Sequence, residues 1–138
     1  MKKKNILKKL LCLMAVVALL TPSVAAFAMT CTDVYLAGNR YTVVAYGNLP
    51  DASGYVLVEI HDIRTDNNKN SLYRKVRGDV LDEWGHQLSA SSDVSLVKGD
   101  ITAIPLAYRY PEGTAVKLRM KGNTSFLDCF VDFTVELD

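Results

Sequence analysis

At 138 residues, 49% hydrophobic and 22% charged, the chain is long enough for one domain with its own core and too short for two. Its formal net charge is +1, but five of its 16 basic residues are lysines within the first nine positions. Without them 11 Lys and Arg face 15 Asp and Glu, a net charge of −4 with no basic cluster, which argues against nucleic acid or an anionic membrane as partner.

The front of the chain reads as an address. Lys2, Lys3, Lys4, Lys8 and Lys9 form a positive region, and residues 10–20 are an uninterrupted apolar run. Pro22 follows, then Ala26-Phe27-Ala28 with small residues at the −3 and −1 positions. This pattern predicts a secretory signal peptide over residues 1–28 and one domain over residues 29–138. The run is too short to span a bilayer, which takes about 20 apolar residues. Neither Cys12 nor Cys31 sits in a lipid-attachment context, so soluble export, to the extracellular space or cell envelope with no membrane partner after cleavage, is the expectation.

Beyond the leader, the pattern is that of strands and turns. Residues 31–36 are β-capable, Ala37-Gly38-Asn39 is a turn signal, and residues 40–46 are rich in strand formers, so these two segments are expected to pair. After a Gly- and Pro-punctuated loop, residues 55–63 alternate as a half-buried strand, with Val56, Val58 and Ile60 on one face. Residues 71–77 carry so many charges that they read as an edge strand. Residues 80–92 are the ambiguous stretch: Leu81, Trp84 and Leu88 have helical spacing and Asp79 could cap a helix, which predicts loose helical turns or irregular structure.

Residues 93–98 and 101–110 follow as strands, the second an edge or bulged strand because Pro105 has no N–H to give a ladder. Residues 114–121 alternate, and Gly122 to Ser125 reads as a hairpin connection to the last strand. There Leu127, Cys129, Val131, Phe133, Val135 and Leu137 share one face. Seven or eight short strands at spacings near ten residues predict an all-β fold, a small antiparallel β-sandwich that is immunoglobulin-like in architecture only, with a small β-barrel as the alternative. Two cysteines in an exported domain favour a bridge, so Cys31 and Cys129 are expected to join first and last strands. Such a staple closes a loop of about 100 residues, worth roughly 4–5 kcal/mol in the chain-entropy account.

No motif specifies a reaction, cofactor or metal. Asp66, Asn68 and Asn70 imitate the start of a calcium loop, but Ser71 stands where Gly belongs and Arg77 where a bidentate Glu belongs. His61 and His86 are the general-base candidates, with no nucleophile elbow or Ser-x-x-Lys near either, and Asp62 is expected to point away from His61. Asp82-Glu83-Trp84-Gly85-His86 gathers two carboxylates, Trp84 and a histidine, and a core-plugging Trp84 beside solvated charges is the favoured reading. Tyr108 and Tyr110 share a strand face, and coplanar exposed aromatics on a sandwich can stack on sugar rings or form protein interfaces.

Trp84, Tyr108 and Tyr110 are therefore the candidate ligand face. The function expected is a non-enzymatic binding domain presenting that surface to an extracellular protein or carbohydrate. A small secreted hydrolase with a minimal site near Trp84 and His86 is the rival, and a toxin, inhibitor or envelope component fits the same sequence.

Overall fold

Alternation in sequence becomes alternation in burial along residues 129–136, where Cys129, Val131, Phe133 and Val135 are fully buried and the residues between them are half-exposed. The same rule holds elsewhere in the computed structural model, which describes residues 28–65, 74–123 and 128–138. Residues 1–27 of the predicted leader, the Asp66 cluster and Leu127 lie outside the described residues. Eight strands form: β1 (Ala28–Leu36), β2 (Thr42–Asn48), β3 (Ser53–Arg64), β4 (Lys75–Asp82), β5 (Val94–Val97), β6 (Ile101–Tyr110), β7 (Ala115–Lys121) and β8 (Cys129–Glu136).

They make two four-stranded sheets, ordered β1-β8-β3-β6 and β2-β7-β4-β5, with every ladder antiparallel. First pairs with last, second with seventh, third with sixth and fourth with fifth. That is one long antiparallel ribbon rolled up on itself, the jelly-roll arrangement of a β-sandwich. Between the sheets lies one buried cluster: Val58, Ile60, Ile104, Val131 and Phe133 from the first sheet meet Val76, Leu96, Val116, Leu118 and Met120 from the second.

Rolling the ribbon sends most consecutive strands to opposite sheets, and this corrects several expectations. The strands flanking Gly38, β1 and β2, do not pair, and neither do β7 and β8. The likeness to an immunoglobulin domain stops at architecture, two antiparallel sheets, because in that fold the first two strands are sheet neighbours. The barrel does not close either, since each sheet ends in edge strands. The charged strand β4 is interior rather than an edge: its outward Arg77 and Asp79 find partners on the same face, so charge there serves pairing within the sheet. The Pro105 strand, β6, is an edge as expected.

Residues 80–92 form no helix among the described residues. The strand β4 runs on to Asp82, and the chain turns back so that Leu88 and Ser89 donate to the Val80 carbonyl at 2.9 and 3.1 Å. Across the gap, Ala107 N–H donates to Leu88 O and Ala90 N–H to Pro105 O, both at 2.8 Å. This connection tacks one sheet to the other along one side. On the opposite side a shorter clasp joins Asn48 and Asp138, whose N–H and C=O groups exchange two bonds of 2.8 Å.

The expected staple is absent: Cys31 and Cys129 are both free. Their strands do lie side by side, but register separates the sulfurs. Cys31 stands opposite Phe133, and Cys129 opposite Leu36. An offset of four residues is roughly 13 Å along a strand, whereas a disulfide needs Cα atoms within about 7 Å. The hydrophobic pattern of β8 sets that register, because a slip large enough to align the thiols would leave much of its apolar face without its partners.

Candidate functional site

One end of the sandwich carries the C-terminal ends of β2, β4, β6 and β8 and the N-terminal ends of β1, β3 and β7. Trp84 stands there on the turn after β4. The Asp82 carboxylate builds that turn: its Oδ1 accepts the N–H of Trp84 at 2.9 Å and of His86 at 2.8 Å, and Gly85 takes the left-handed φ of 90° that the reversal needs. Lys117 Nζ donates to Glu83 O at 2.9 Å and fastens the turn to β7. Leu81 and Leu88 occupy the buried positions, so Trp84 is left 78% exposed. The core-plugging role is thereby overturned: polar bonds, not tryptophan packing, hold this segment.

Tyr108 and Tyr110 share a strand face as expected, but they are not coplanar. Their rings meet edge-on, 6.3 Å apart at 80°. Tyr110 leans on the core while Tyr108 is 74% exposed. Ser89 pairs with Leu106 in antiparallel sense, so the Trp84 turn and Tyr108 project from the same end. Among the described residues no ring contact joins Trp84 to either tyrosine. Tyr46 and Tyr55, also exposed, add aromatic surface toward this end, one on each outer face.

A cleft of about 30 Å³ opens beside them, lined by Pro50, Asp51, Ser53, Tyr55, Leu57 and Glu136. It lies where the β3–β6 register shifts: Ser53 faces Tyr110 and Tyr55 faces Pro105, so the extra residues of the bulge belong to β6. Opposite it, Ser53 Oγ donates to Tyr55 O at 2.7 Å and accepts the Tyr55 N–H at 3.1 Å. Arg109 Nε donates to Ala52 O at 3.1 Å, tying the turn that bears Asp51 to the strand that bears Tyr108. Sequence reasoning missed this group. Asp51 and Glu136 are 85 positions apart in the chain, and no local signal announces that β8 and this turn will meet at one cleft.

The histidines sit elsewhere. His86 Nδ1 is 3.0 Å from Asp82 Oδ2 in the exposed turn. Desolvation pushes the Asp82 carboxyl up, but the bonds from His86 and Trp84 outweigh it and hold the group below the usual carboxylate range. No hydroxyl or thiol nucleophile joins this pair among the described contacts. His61 lies mid-sheet, its Nε2 2.7 Å from Thr134 Oγ1, with Thr30 Oγ1 3.1 Å beyond and Glu59 Oε1 3.9 Å from Nδ1. Hydroxyl, imidazole and carboxylate stand in a row there, on the outer face of the interior strands β3 and β8, at the bulge between Ile60 and Asp62.

Charge on the outer faces is largely internal business. On one, Arg64 bridges Asp33, Asp62 and Asp132, and Lys98 Nζ reaches Asp62 at 2.8 Å. Bulges in β1 and β3 aim these groups at each other, and Asp33 takes a left-handed φ of 53° with its N–H on Asp132 Oδ1. Lys98 chiefly, then Arg64, holds the Asp62 carboxyl low, and Arg64 does so for Asp132. On the other face Arg119 clamps the fully buried Asp79 with two bonds of 2.9 and 2.7 Å. The Tyr41 ring lies against both Arg119 and Lys121, and its hydroxyl donates to Asp93. Burial first, and that bond second, push the Tyr41 hydroxyl well above its ordinary value. Among the described residues no three His, Cys, Asp or Glu side chains are placed to hold a metal.

The fold and the site define a jelly-roll sandwich with an aromatic end and a small acidic cleft. No family model matches the chain, and no curated protein does. Among solved structures it is similar to one described as "Structure of infectious bursal disease virus Gx strain", with 13% identity over 78% of this chain and 30% of that chain. The TM-score is 0.30, a likeness too slight to bear on fold or function.

Proposed function

We propose that this chain is an exported, non-enzymatic binding domain that presents the aromatic end of its sandwich to a glycan or protein outside the cell. The observation that carries the reading is the outward placement of Trp84 and Tyr108 on the same end of a scaffold whose other large side chains are mostly packed. Exposed tryptophan and tyrosine are the residues that anchor interfaces, because they remove much apolar area from water on contact while ordering few torsions. The leader pattern of residues 1–28 supplies the export half of the proposal. The rival hydrolase at Trp84 and His86 has the Asp82 pair in its favour, but on a protruding turn rather than in a concavity.

Binding of the purified domain to an immobilised panel of glycans and extracellular proteins tests this. Trp84→Ala and Tyr108→Ala are expected to abolish the interaction while leaving the thermal midpoint unchanged, since neither side chain packs in the core. Variants that bind like the parent would sink the proposal.

A further inference from the structure

Three polar groups in the cleft at the start of β3 have no partner among the described residues: the carboxylates of Asp51 and Glu136 and the hydroxyl of Tyr55. Elsewhere Asp33, Asp62, Asp82, Asp93 and Asp132 are engaged in ion pairs, and the free side chains of Glu83, Asp100, Glu112 and Asp138 stand outside the cleft, whereas Asp51 and Glu136 share it. Unpaired acceptors beside a 51% exposed aromatic ring are what a hydroxyl-bearing ring ligand requires. Its hydroxyls donate to the carboxylates, and its C–H face lies on the tyrosine. Beside the β6 bulge, Tyr55 and Glu136 line the same cleft from the neighbouring strands β3 and β8.

Size and charge narrow the class. Room of about 30 Å³ admits one hydroxyl or hydroxymethyl group, not a whole ring. The lining holds two carboxylates and no Lys, Arg or His, so a uronate, sulfate or phosphate seated in it would meet like charge, with Arg109 engaged on the Ala52 carbonyl outside the lining. A lipid or an apolar side chain would strip water from those carboxylates without replacing its hydrogen bonds.

We infer that the cleft of Asp51, Ser53, Tyr55 and Glu136 is a subsite for an uncharged saccharide, seating one hydroxymethyl or hydroxyl group of a chain that continues across β6 toward Tyr108. The inference rests on the binding-domain reading and narrows its ligand to neutral glycans. Arg109 holds the turn of Asp51 to the strand of Tyr108, so both lie at this end of the sandwich.

Titration of the full domain with neutral hexasaccharides of glucose, xylose and N-acetylglucosamine, followed by calorimetry or amide chemical shifts, tests it against hexagalacturonate and a lysine-rich peptide. At least one neutral hexasaccharide is expected to bind. Tyr55→Ala and Glu136→Gln should each weaken it about tenfold, the loss expected for a hydrogen bond to a charged group or a stacked ring. Unchanged thermal midpoints would show that both variants are folded. If Trp84→Ala weakens the hexasaccharide while Tyr55→Ala and Glu136→Gln do not, the cleft is not the subsite and the binding-domain reading stands. Binding of hexagalacturonate or the lysine-rich peptide in preference to every neutral sugar overturns the inference, as does an absence of saccharide binding altogether.

Discussion

The residue that most depends on another is Asp79. Its carboxylate is fully buried beneath the outer face of β4, and the opposed Arg119 is its ion-pair partner. Removing one member of such a pair leaves an uncompensated charge out of water. Arg119→Ala is therefore expected to lower unfolding free energy by about 3 kcal/mol, the low end for a buried pair because the guanidinium still reaches solvent. Asp79→Ala in the same chain should return part of the loss, and denaturant unfolding of the two variants checks both statements. In sequence, Asp79 looked like a helix cap and Arg119 was one position of the alternating stretch 114–121. Nothing local to either residue reveals that β4 and β7 will set them face to face.

At the scale of elements, the strands were legible and their neighbours were not. Burial alternates along β3, β7 and β8 as the apolar pattern requires. The ladders depend instead on which strands the roll brings together. Bulges illustrate the difference, since that in β3 between Ile60 and Asp62 moves Asp62 and Arg64 into the same outer cluster as Asp132. That cluster has a pH signature. The folded-state values of Asp62 and Asp132 lie below the ordinary one of about 3.9. Their contribution is complete above that value and is lost as pH falls through the lowered ones. Urea midpoints should accordingly decline from about pH 4 downward. Lys98→Gln, acting on Asp62, and Arg64→Gln, acting on Asp132, should each flatten that acid limb. A limb of unchanged slope in both variants would show that the network is idle.

For the whole molecule, the sheets hold by rolled pairing and a common core, with no sulfur staple. The terminal strands are joined by backbone along a long ladder, and the clasp between Asn48 and Asp138 closes the seam beside it. Burial, with the nearby Asp128 charge second, pushes the Cys129 thiol up to about 11, and burial likewise raises Cys31. In protein without the predicted leader and its Cys12, iodoacetamide without reductant should then label half-buried Cys31 slowly in the native state and Cys129 only after unfolding, with two labels per chain in denaturant. Mass spectrometry reads the count, and zero labels in denaturant would restore the bridge. The rolled order also makes the most distant pairings obligatory, because β1 cannot pair until β8 exists.

Composition and two-residue periodicity alone determined that the chain beyond residue 28 would be built of strands, where nearly all of them run, and which side chains face inward. Those are local properties: a strand declares its buried face in its own residues. Strand order, the offset of the two thiols, the exposure of Trp84 and the meeting of Tyr55 with Glu136 were decided only in three dimensions. Each depends on which of many compatible partners a strand takes, and that choice is made by a core assembled from both sheets at once.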